Sequence, residues 1–369
     1  MERQFSHKKS GMGSALGVPS EWEGSSALSS LPLRDNVTVS YVQASDLSRE
    51  LESETSHTLA VIAYGRGKSL PIMRNSLAIE VHLPSLTQPP FVEVWKSSTP
   101  VLRDQVQGIR LAFTDEFVFG CFEALEHTEN AFEELARDAY ARIFEYCTRS
   151  GFSHLLRMWN YFPTMNAEQF GLERYQRFCI GRHQAFSTSH PEFPSILPAA
   201  SAVGTQGGPF QVLFLAGRQP GQPLENPRQI SAYKYPPIYG PKSPSFARAT
   251  LHRTSTGCQL FVAGTASIVG HATQHHGDPV KQTLETLSNI DAVLNRVRHE
   301  GPELWGAKCS EGPLKVFVRN REDLCGVREV LEGHEHGKGP ILYVLGEMCR
   351  KELLVEIEGI WNLAFLHHE

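Results

Sequence analysis

The feature that most constrains the fold is an order of elements that occurs twice along the chain. In the first half, apolar residues recur at helical spacing from Asn130, and a strand-like run follows at residues 155–162. In the second half, a strand-like run at 259–269 precedes a helix that begins at Pro279, and another strand-like run lies at 314–318. The repeated order of strand, helix and strand predicts a mixed α+β fold of two tandem units, each a β-sheet with helices.

Local signals indicate where the elements of each half begin. Asn130 and Glu133 have the spacing of N-cap and N3 in a capping box, and Asp278 is an N-cap before Pro279. Short β-rich runs separated by turn residues precede the first helix, at 57–64, 77–83, 91–95 and 109–122.

The length of 369 residues fits about two domains of roughly 100–200 residues each. We expect a flexible leader rich in Ser and Gly at 1–30 and an N-terminal unit at 31–185. A segment rich in Ser, Pro and Gly at 186–209 is the linker candidate, and the C-terminal unit covers 210–369. A cleft between two such units would be the natural place for a ligand.

Charge and apolar patterning exclude several classes of protein. Lys and Arg number 35 against 40 Asp and Glu, which gives a net charge of −5 without a basic block, so we expect no nucleic-acid partner. The sequence has neither a run of about 18 apolar residues nor the apolar core of a signal peptide, so we expect a cytoplasmic protein without a membrane partner. The seven cysteines are scattered and form no CxxC pair, which favours reduced thiols.

The common catalytic signatures are missing from the sequence. It has no Gly-rich phosphate loop and no nucleophile elbow, so neither nucleotide chemistry nor a catalytic triad is supported. Residues 270–278 contain three histidines and an aspartate, which could ligate a metal in a helix. Because glycines flank the segment and a helix starts at Pro279, we favour a hydrogen-bonded loop that Asp278 ends as the helix cap.

A stiff loop at 229–248 is the first candidate for binding. Its four prolines fix an irregular path, along which Tyr233, Lys234, Tyr239 and Arg248 present hydroxyl groups and cations. Such a loop suits a small polar anion, and a bidentate pair between Arg248 and a carboxylate is one form the contact could take. The alternative is an ordinary packed surface loop with tyrosine anchors.

A second candidate is the helical segment 171–185. Tyr175, Phe178, Cys179 and Arg182 share one face of it at i, i+3, i+4 and i+7 spacing. A purely structural face would be more apolar, so Tyr175 and Arg182 are candidate ligands of an acid. A hydrogen bond between the two units would explain the same polar residues.

A third candidate lies near the C-terminus, where residues 353–358 alternate as a strand. Glu356 and Glu358 fall on one face, and Val355 and Ile357 fall on the other. If the first face is exposed, both carboxylates are solvated. If it faces a cleft, desolvation raises the pKa of a carboxyl group, which can then act as a general acid near neutral pH.

Four segments in order resemble the chorismatases, the chorismate hydrolases. They are ERYQRFCIGR at 173–182, YKYPPIYGPKSPSFARA at 233–249, GTASIVGH at 264–271 and CRKELLVEIEG at 349–359. The resemblance extends over most of the chain after about Tyr161. That family is related in fold to the reactive-intermediate deaminases, trimeric enzymes whose subunit is a sheet backed by two helices. The resemblance implies two tandem deaminase-like units in a pseudo-trimer-like arrangement, for which a monomer suffices.

The resemblance also implies an activity and roles for the candidate residues. The substrate is chorismate, whose enolpyruvyl ether is cleaved after protonation of its methylene carbon, and no metal or organic cofactor is required. Glu356 matches the catalytic glutamate, and Arg248 is assigned to one of the two substrate carboxylates. The candidates for the second carboxylate are Arg182, Arg319 and Lys234. The ring hydroxyl or a carboxylate is oriented by Tyr175, Tyr233 or Tyr239, and Glu358 binds beside the substrate or holds an arginine in place.

The ring product depends, in the resemblance, on two positions. A cysteine seven residues before the catalytic glutamate goes with 3-hydroxybenzoate, and Cys349 has that spacing. Ala266 is bulkier than the glycine expected in a 3-hydroxybenzoate former, so it points towards the dihydroxycyclohexadiene acid or a mixture with 4-hydroxybenzoate. We follow Cys349. Two other functions stay open: an enamine or imine hydrolase, and a binding module without catalysis.

Overall fold

The computed structural model describes residues 36–52, 57–65, 77–126, 132–254, 257–305 and 307–365. Its strands are β1 (Val37–Gln43), β2 (Thr58–Tyr64), β3 (Leu77–Val81), β4 (Phe91–Ser97), β5 (Leu102–Val106), β6 (Ile109–Phe113), β7 (Phe117–Ala124), β8 (His154–Pro163), β9 (Glu168–Gln169), β10 (Leu172–Glu173), β11 (Ala199–Thr205), β12 (Phe210–Gly217), β13 (Gly221–Leu224), β14 (Ala249–Arg253), β15 (Gly257–Ala266), β16 (Ile268–Val269), β17 (Ala272–Thr273), β18 (Lys308–Val318), β19 (Ile341–Leu345) and β20 (Val355–Ala364). Its α-helices are α1 (Leu47–Glu52), α2 (Phe132–Ser150), α3 (Arg174–Ser189), α4 (Pro279–Val297) and α5 (Leu324–Glu332).

Three of the sheets repeat one topology. Their strand orders are β3-β2-β4-β1, β11-β8-β12-β7-β6-β5 and β19-β18-β20-β15-β14-β13. In each sheet the outer pair β2–β3, β8–β11 or β18–β19 is parallel, and the strand β4, β12 or β20 is antiparallel to both neighbours. The chain therefore contains three related units, at residues 37–97, 102–217 and 221–364, of which the first is the shortest.

The three sheets share one apolar core and carry helices on their other faces. Trp95, Trp159 and Phe317 bring the three sheets together in the common core. On the outer faces, α2 and α3 cover the second sheet, α4 and α5 cover the third, and α1 packs on the first. Because both faces of the sheets are covered, central strands such as β2 and β12 are buried along their whole length. The predicted α+β fold of tandem sheet-plus-helix units is confirmed, with a third, short unit in addition.

The unit boundaries in the structure differ from those expected from the sequence. The predicted linker 186–209 contains the end of α3 and the strand β11, and β12, expected to open the second half, lies between β7 and β8. The reason is that the last strand of each unit inserts into the middle of its sheet, as β20 also does. The first strands within the expected unit 31–185 form a sheet of their own. The predicted leader 1–30 lies outside the described residues.

Local signals in the sequence predict two helix starts, and the described residues include one of them. Helix α4 begins at Pro279, and the Asp278 side chain accepts a hydrogen bond of 2.9 Å from the Lys281 N–H, which confirms the predicted cap. Asn130, the other predicted cap, lies outside the described residues. The run 109–122 is a hairpin of β6 and β7, whose turn is closed by Thr114 and Phe117. In the described part of the chain, none of the helices combines the length and the apolar character needed to cross a membrane.

Candidate active site

A cavity of about 250 Å³ lies between the second and third units. The second unit contributes residues of α3 and the β11 residues Ala200 to Ala202, and the third contributes β15, β20 and the segment 349–352. The irregular loop around Tyr239 covers one side. The expected cleft between two units therefore exists.

Glu356 lies on the cavity wall, 5% exposed, opposite Ala266 in the pairing of β15 with β20. Strand β15 has a β-bulge beside this pair, where Ala263 and Gly264 oppose the single residue Glu358. A Cβ atom at Gly264 would lie 2.0 Å from the Glu356 carboxyl oxygen Oε1. Glycine at the bulge thus leaves the space that the Glu356 carboxyl group occupies.

The environment of Glu356 favours the protonated form of its carboxyl group. Burial is the main cause, and repulsion from Glu358 adds to it, so that the pKa rises to about 8 although Arg157, Arg248 and Arg319 act in the opposite direction. Within the described part of the chain, no hydrogen bond fixes the Glu356 carboxyl group. A protonated carboxyl group on a cavity wall can donate its proton to a bound molecule.

Glu358 has the opposite environment, although it lies on the same face of β20. Its carboxylate accepts hydrogen bonds from Arg157 at 2.7 Å, from the Trp159 indole at 2.8 Å and from Lys315 at 3.1 Å, and Ser201 also donates to it. Burial raises its pKa, but Lys315 and Arg157 lower it more, and the net shift is downward. Glu358 is 4% exposed and does not line the cavity, so the expectation that it contacts the substrate is wrong, while the alternative that it holds an arginine agrees with the structure.

Two buried arginines line the cavity. Arg182, on α3, packs its guanidinium group against the rings of Tyr140, Phe178 and Phe186, at 5.1 to 5.8 Å from their centroids. Its Nε and Nη2 atoms have no hydrogen-bond partner among the described residues, and neither has Nε of Arg248. Buried donors of charged groups are normally paired, and these donors line a cavity. The arrangement suits a ligand with two anionic groups.

Tyr175 and the thiols of Cys179 and Cys349 form another part of the cavity wall. Tyr175 and Cys179 lie one helical turn apart on α3, as the predicted helix face requires. Burial, followed by the nearby Glu356, raises the pKa of Cys349 to about 11, so this group is a thiol and not a thiolate at neutral pH. Cys349 therefore faces the cavity as a small, weakly polar group next to the protonated Glu356.

The loop that covers the cavity is held by Tyr239, a residue predicted for the site. The Tyr239 hydroxyl donates to the backbone carbonyl of His271 at 2.8 Å, and the Arg350 guanidinium group stacks on the Tyr239 ring at 3.8 Å from its centroid. Arg248 donates to the hydroxyl of Tyr235 at 2.6 Å. Sequence reasoning missed Tyr235 and Arg350, because an irregular loop has no periodicity to show which tyrosine faces inward.

Three other predicted residues do not line the cavity. Lys234 is exposed, and Tyr233 packs beside the core of the second unit instead of facing a ligand. Arg319 donates to the backbone carbonyls of Leu353 at 2.7 Å and Arg350 at 2.8 Å, so it holds the segment that carries Cys349. The short helical turn Ala232–Lys234 is followed by the buried Tyr235, which lines the cavity in place of Tyr233 and Lys234.

The histidine-rich segment behaves as the predicted loop. The His271 ring contacts the Tyr239 hydroxyl, and the His275 ring pairs with Glu285 at 3.3 Å. Among the described residues, the group with metal-ligand geometry is Asp291, Glu335 and His336, and none of these three lines the cavity.

Comparison with known proteins identifies the family. A family model for the N-terminal part of chorismatases of the FkbO/Hyg5 type matches residues 93–216. A 3-hydroxybenzoate synthase of Streptomyces hygroscopicus is 36% identical over 311 residues, which are 82% of this chain and 91% of that protein. A chorismatase of the same organism is 34% identical over 318 residues, covering 85% and 91% of the two chains.

A solved structure agrees with the sequence relatives over nearly the whole chain. A crystal structure of a chorismatase matches with a TM-score of 0.77 at 32% identity, covering 90% of this chain and 99% of that one. The segments named from the sequence, the tandem units and the cavity between them thus agree with one assignment. The chain belongs to the chorismatase family.

Proposed function

We propose that this protein cleaves the enolpyruvyl ether of chorismate and releases pyruvate and 3-hydroxybenzoate. The observation that carries the proposal is a buried Glu356, whose pKa is raised to about 8, on the wall of a cavity that also contains unpaired donors of Arg182 and Arg248. The relatives named 3-hydroxybenzoate synthase and chorismatase support the substrate.

The cavity supplies what the reaction requires. An enol ether is cleaved by protonating its methylene carbon, which creates an oxocarbenium-like centre and needs an acid within hydrogen-bonding distance. Glu356 is that acid, and its proton is available because the carboxyl group is buried. Arg248 binds one carboxylate of chorismate and Arg182 binds the other, since each can form charge-assisted hydrogen bonds. Tyr175 and Tyr239 orient the ring between them.

The proposed ring product follows from Cys349. In an intramolecular route, the ring hydroxyl oxygen gives up its proton, bonds to the neighbouring carbon that carries the ether and displaces the ether oxygen, so pyruvate leaves. The bond from this oxygen to its original carbon then breaks, the ring loses a proton as it becomes aromatic, and the oxygen is protonated to the phenol. Chorismate is then divided into pyruvate and 3-hydroxybenzoate without net consumption of water, whereas the dihydroxycyclohexadiene acid needs one water molecule. The Cys349 thiol lies on the cavity wall close to Glu356 and leaves less room there for the water molecule that hydrolysis needs.

The proposal is tested by incubating the purified protein with chorismate. Pyruvate is followed with a coupled dehydrogenase, and the ring products are separated by chromatography. Pyruvate with 3-hydroxybenzoate supports the reaction and the product, and pyruvate with the dihydroxycyclohexadiene acid overturns the product alone. Release of ammonia from an enamine without pyruvate from chorismate would instead favour a deaminase-like hydrolase, and tight chorismate binding without turnover would favour a binding module.

We further propose that the protein acts as a cytoplasmic monomer. The support is that one chain already contains three sheets of one topology around a common core, the number that three subunits of a trimer would supply. Light scattering coupled to size-exclusion chromatography should give a mass near 41.2 kDa. A mass three times larger would contradict the proposal.

A further inference from the structure

A buried cluster of charged residues lies where the three sheets meet, next to the cavity. We call Glu93, Arg157, Lys315 and Glu358 the central cluster; they come from β4, β8, β18 and β20. Lys315 joins Glu93 at 2.8 Å to Glu358 at 3.1 Å, and Arg157 contacts Glu358 at 2.7 Å. All four side chains are at most 5% exposed. Buried charges at this density are unusual unless they are paired.

The central cluster reaches the cavity wall through Ser201. The Ser201 hydroxyl donates to Glu358, and the same oxygen accepts a hydrogen bond of 2.9 Å from the backbone N–H of Gly264. Gly264 is the bulge residue that leaves space for the Glu356 carboxyl group. Glu358 is thus connected by two hydrogen bonds to the backbone directly beside the proposed acid.

The charges around the two glutamates differ in a way that decides which of them is ionised. Two carboxyl groups on one strand face repel each other if both are ionised, so the favoured state has a single negative charge. Glu358 contacts Lys315 and Arg157, whereas the Glu356 carboxyl group makes no such contact within the described part of the chain. The charged and titratable groups that interact with Glu356 or Glu358 from other elements are Arg157, Lys315, Arg248, Arg319, Cys349, Tyr41 and Tyr161, and Glu93 acts on Lys315.

We propose that Glu358 is a positioning residue of the reaction, whose carboxylate, fixed by Lys315 and Arg157, holds the bulge at Gly264 and keeps the proton on Glu356. This inference rests on the proposed function, since it assumes that Glu356 is the proton donor. The short first unit takes part, because Glu93, which accepts hydrogen bonds from Tyr64 and Trp95, binds Lys315 from the other side. A sheet that does not line the cavity thereby helps to set the charge of the acid.

The first test compares Glu358→Gln with Glu358→Asp. The activity of an acid-dependent enzyme falls as pH rises through the pKa of its acid, so the basic limb of kcat/KM against pH reports Glu356. Glu358→Gln removes the neighbouring negative charge, and we expect the limb to move to lower pH by about one unit. Glu358→Asp keeps the charge and should leave the limb within a few tenths of a unit. A uniform loss of rate in Glu358→Gln with an unmoved limb would show a structural role only and overturn the proposal.

A spectroscopic test needs neither turnover nor a folded Glu358 variant. Infrared difference spectra at neutral pH between the original protein and Glu356→Gln should show the loss of one protonated carboxyl band. Absence of that band would overturn the proposal, because it would mean that Glu356 is ionised or that Glu358 carries the proton. If the original protein releases no pyruvate from chorismate, the proposed function fails, while the band still decides where the proton lies.

Discussion

Ala266 and Glu356 are directly paired across strands β15 and β20, so the small side chain expected to influence the product lies opposite the proposed acid. Cys349 faces the same cavity, and its thiol is close enough for the Glu356 charge to raise its pKa. The acid and the two positions that bear on the product thus form one wall. Variants at these positions should therefore change the product without removing the proton donor.

The first prediction concerns that choice of product. Cys349→Ala should keep pyruvate release within about tenfold of the original rate, because Glu356 remains in place, and should shift the ring product towards the dihydroxycyclohexadiene acid. Ala266→Gly, the change in the opposite direction, should increase the share of 3-hydroxybenzoate. Chromatography of the ring products measures both shifts. An unchanged product ratio in both variants would contradict a role for this wall.

Replacing the acid tests the mechanism itself. Glu356→Gln should lower kcat for pyruvate release at least about a hundredfold, the scale for loss of a positioned general acid. Binding of chorismate should change much less, because the arginines are intact. Glu352→Gln is the matched control, since Glu352 also lines the cavity but hydrogen-bonds to Thr273 at 3.0 Å. Near-normal turnover by Glu356→Gln would refute the assignment.

The pH dependence of the original protein follows from the pKa of Glu356. The group donates a proton only when protonated, and its pKa is raised from 4.5 to about 8. The value of kcat/KM should therefore be constant well below pH 8 and should fall about tenfold per pH unit above it. A profile of kcat/KM with chorismate from pH 5 to about pH 10 measures this limb. Activity that is already lost near pH 5 would indicate an acid with an ordinary carboxyl pKa.

Replacing an arginine that binds a substrate carboxylate should raise KM more than it lowers kcat. Arg248→Met removes charge-assisted hydrogen bonds to a substrate carboxylate, each worth about 1.5–3 kcal/mol, so KM should rise at least about tenfold. Arg253→Met is the control: Arg253 ends β14 nearby but pairs with Glu303, and it does not line the cavity. Equal effects of the two variants on KM would argue that Arg248 has no contact with the substrate.

Breaking the central cluster should lower the free energy of unfolding. Lys315→Met leaves the carboxylates of Glu93 and Glu358 buried without their shared cation, so the free energy of unfolding should fall by about 3–5 kcal/mol. Arg142→Met, which breaks an exposed pair with Asp138, should change the free energy by less than about 1 kcal/mol. Urea denaturation at neutral pH gives both values. A loss in Lys315→Met no larger than that in Arg142→Met would mean that the cluster is not held by this cation.

Sequence periodicity predicts the elements whose formation depends on residues close together along the chain. Helices α2 and α4 and the strands on either side of them have clear apolar repeats, and the Asp278 cap is a local signal. The placement of β12 depends on pairing with β7 and β8, which no local pattern reports. The short first unit was missed for a similar reason, because the six-residue helix α1 has too few turns for a periodic stripe.

The candidate site divides in the same way. Alternation in β20 places Glu356 and Glu358 on one face, but only the packing of a second unit makes that face a cavity wall and not a solvated surface. Arg157 and Lys315 stabilise the ionised form of Glu358 but not of Glu356 to the same degree, because they contact Glu358 directly. Both cations belong to other strands far away in sequence. No spacing rule brings them together, so the different environments of the two carboxyl groups could be known only from the three-dimensional structure.

The bulge at Gly264 limits how this cavity can vary. Any side chain there would meet the Glu356 carboxyl oxygen at 2.0 Å and the Ser201 hydroxyl at 3.0 Å, so a replacement displaces the acid. Enlarging or reshaping the cavity by evolution or by design has to proceed through neighbouring positions, while this one stays without a side chain. Libraries that aim at new ring products should therefore hold residue 264 constant and diversify residues 266 and 349.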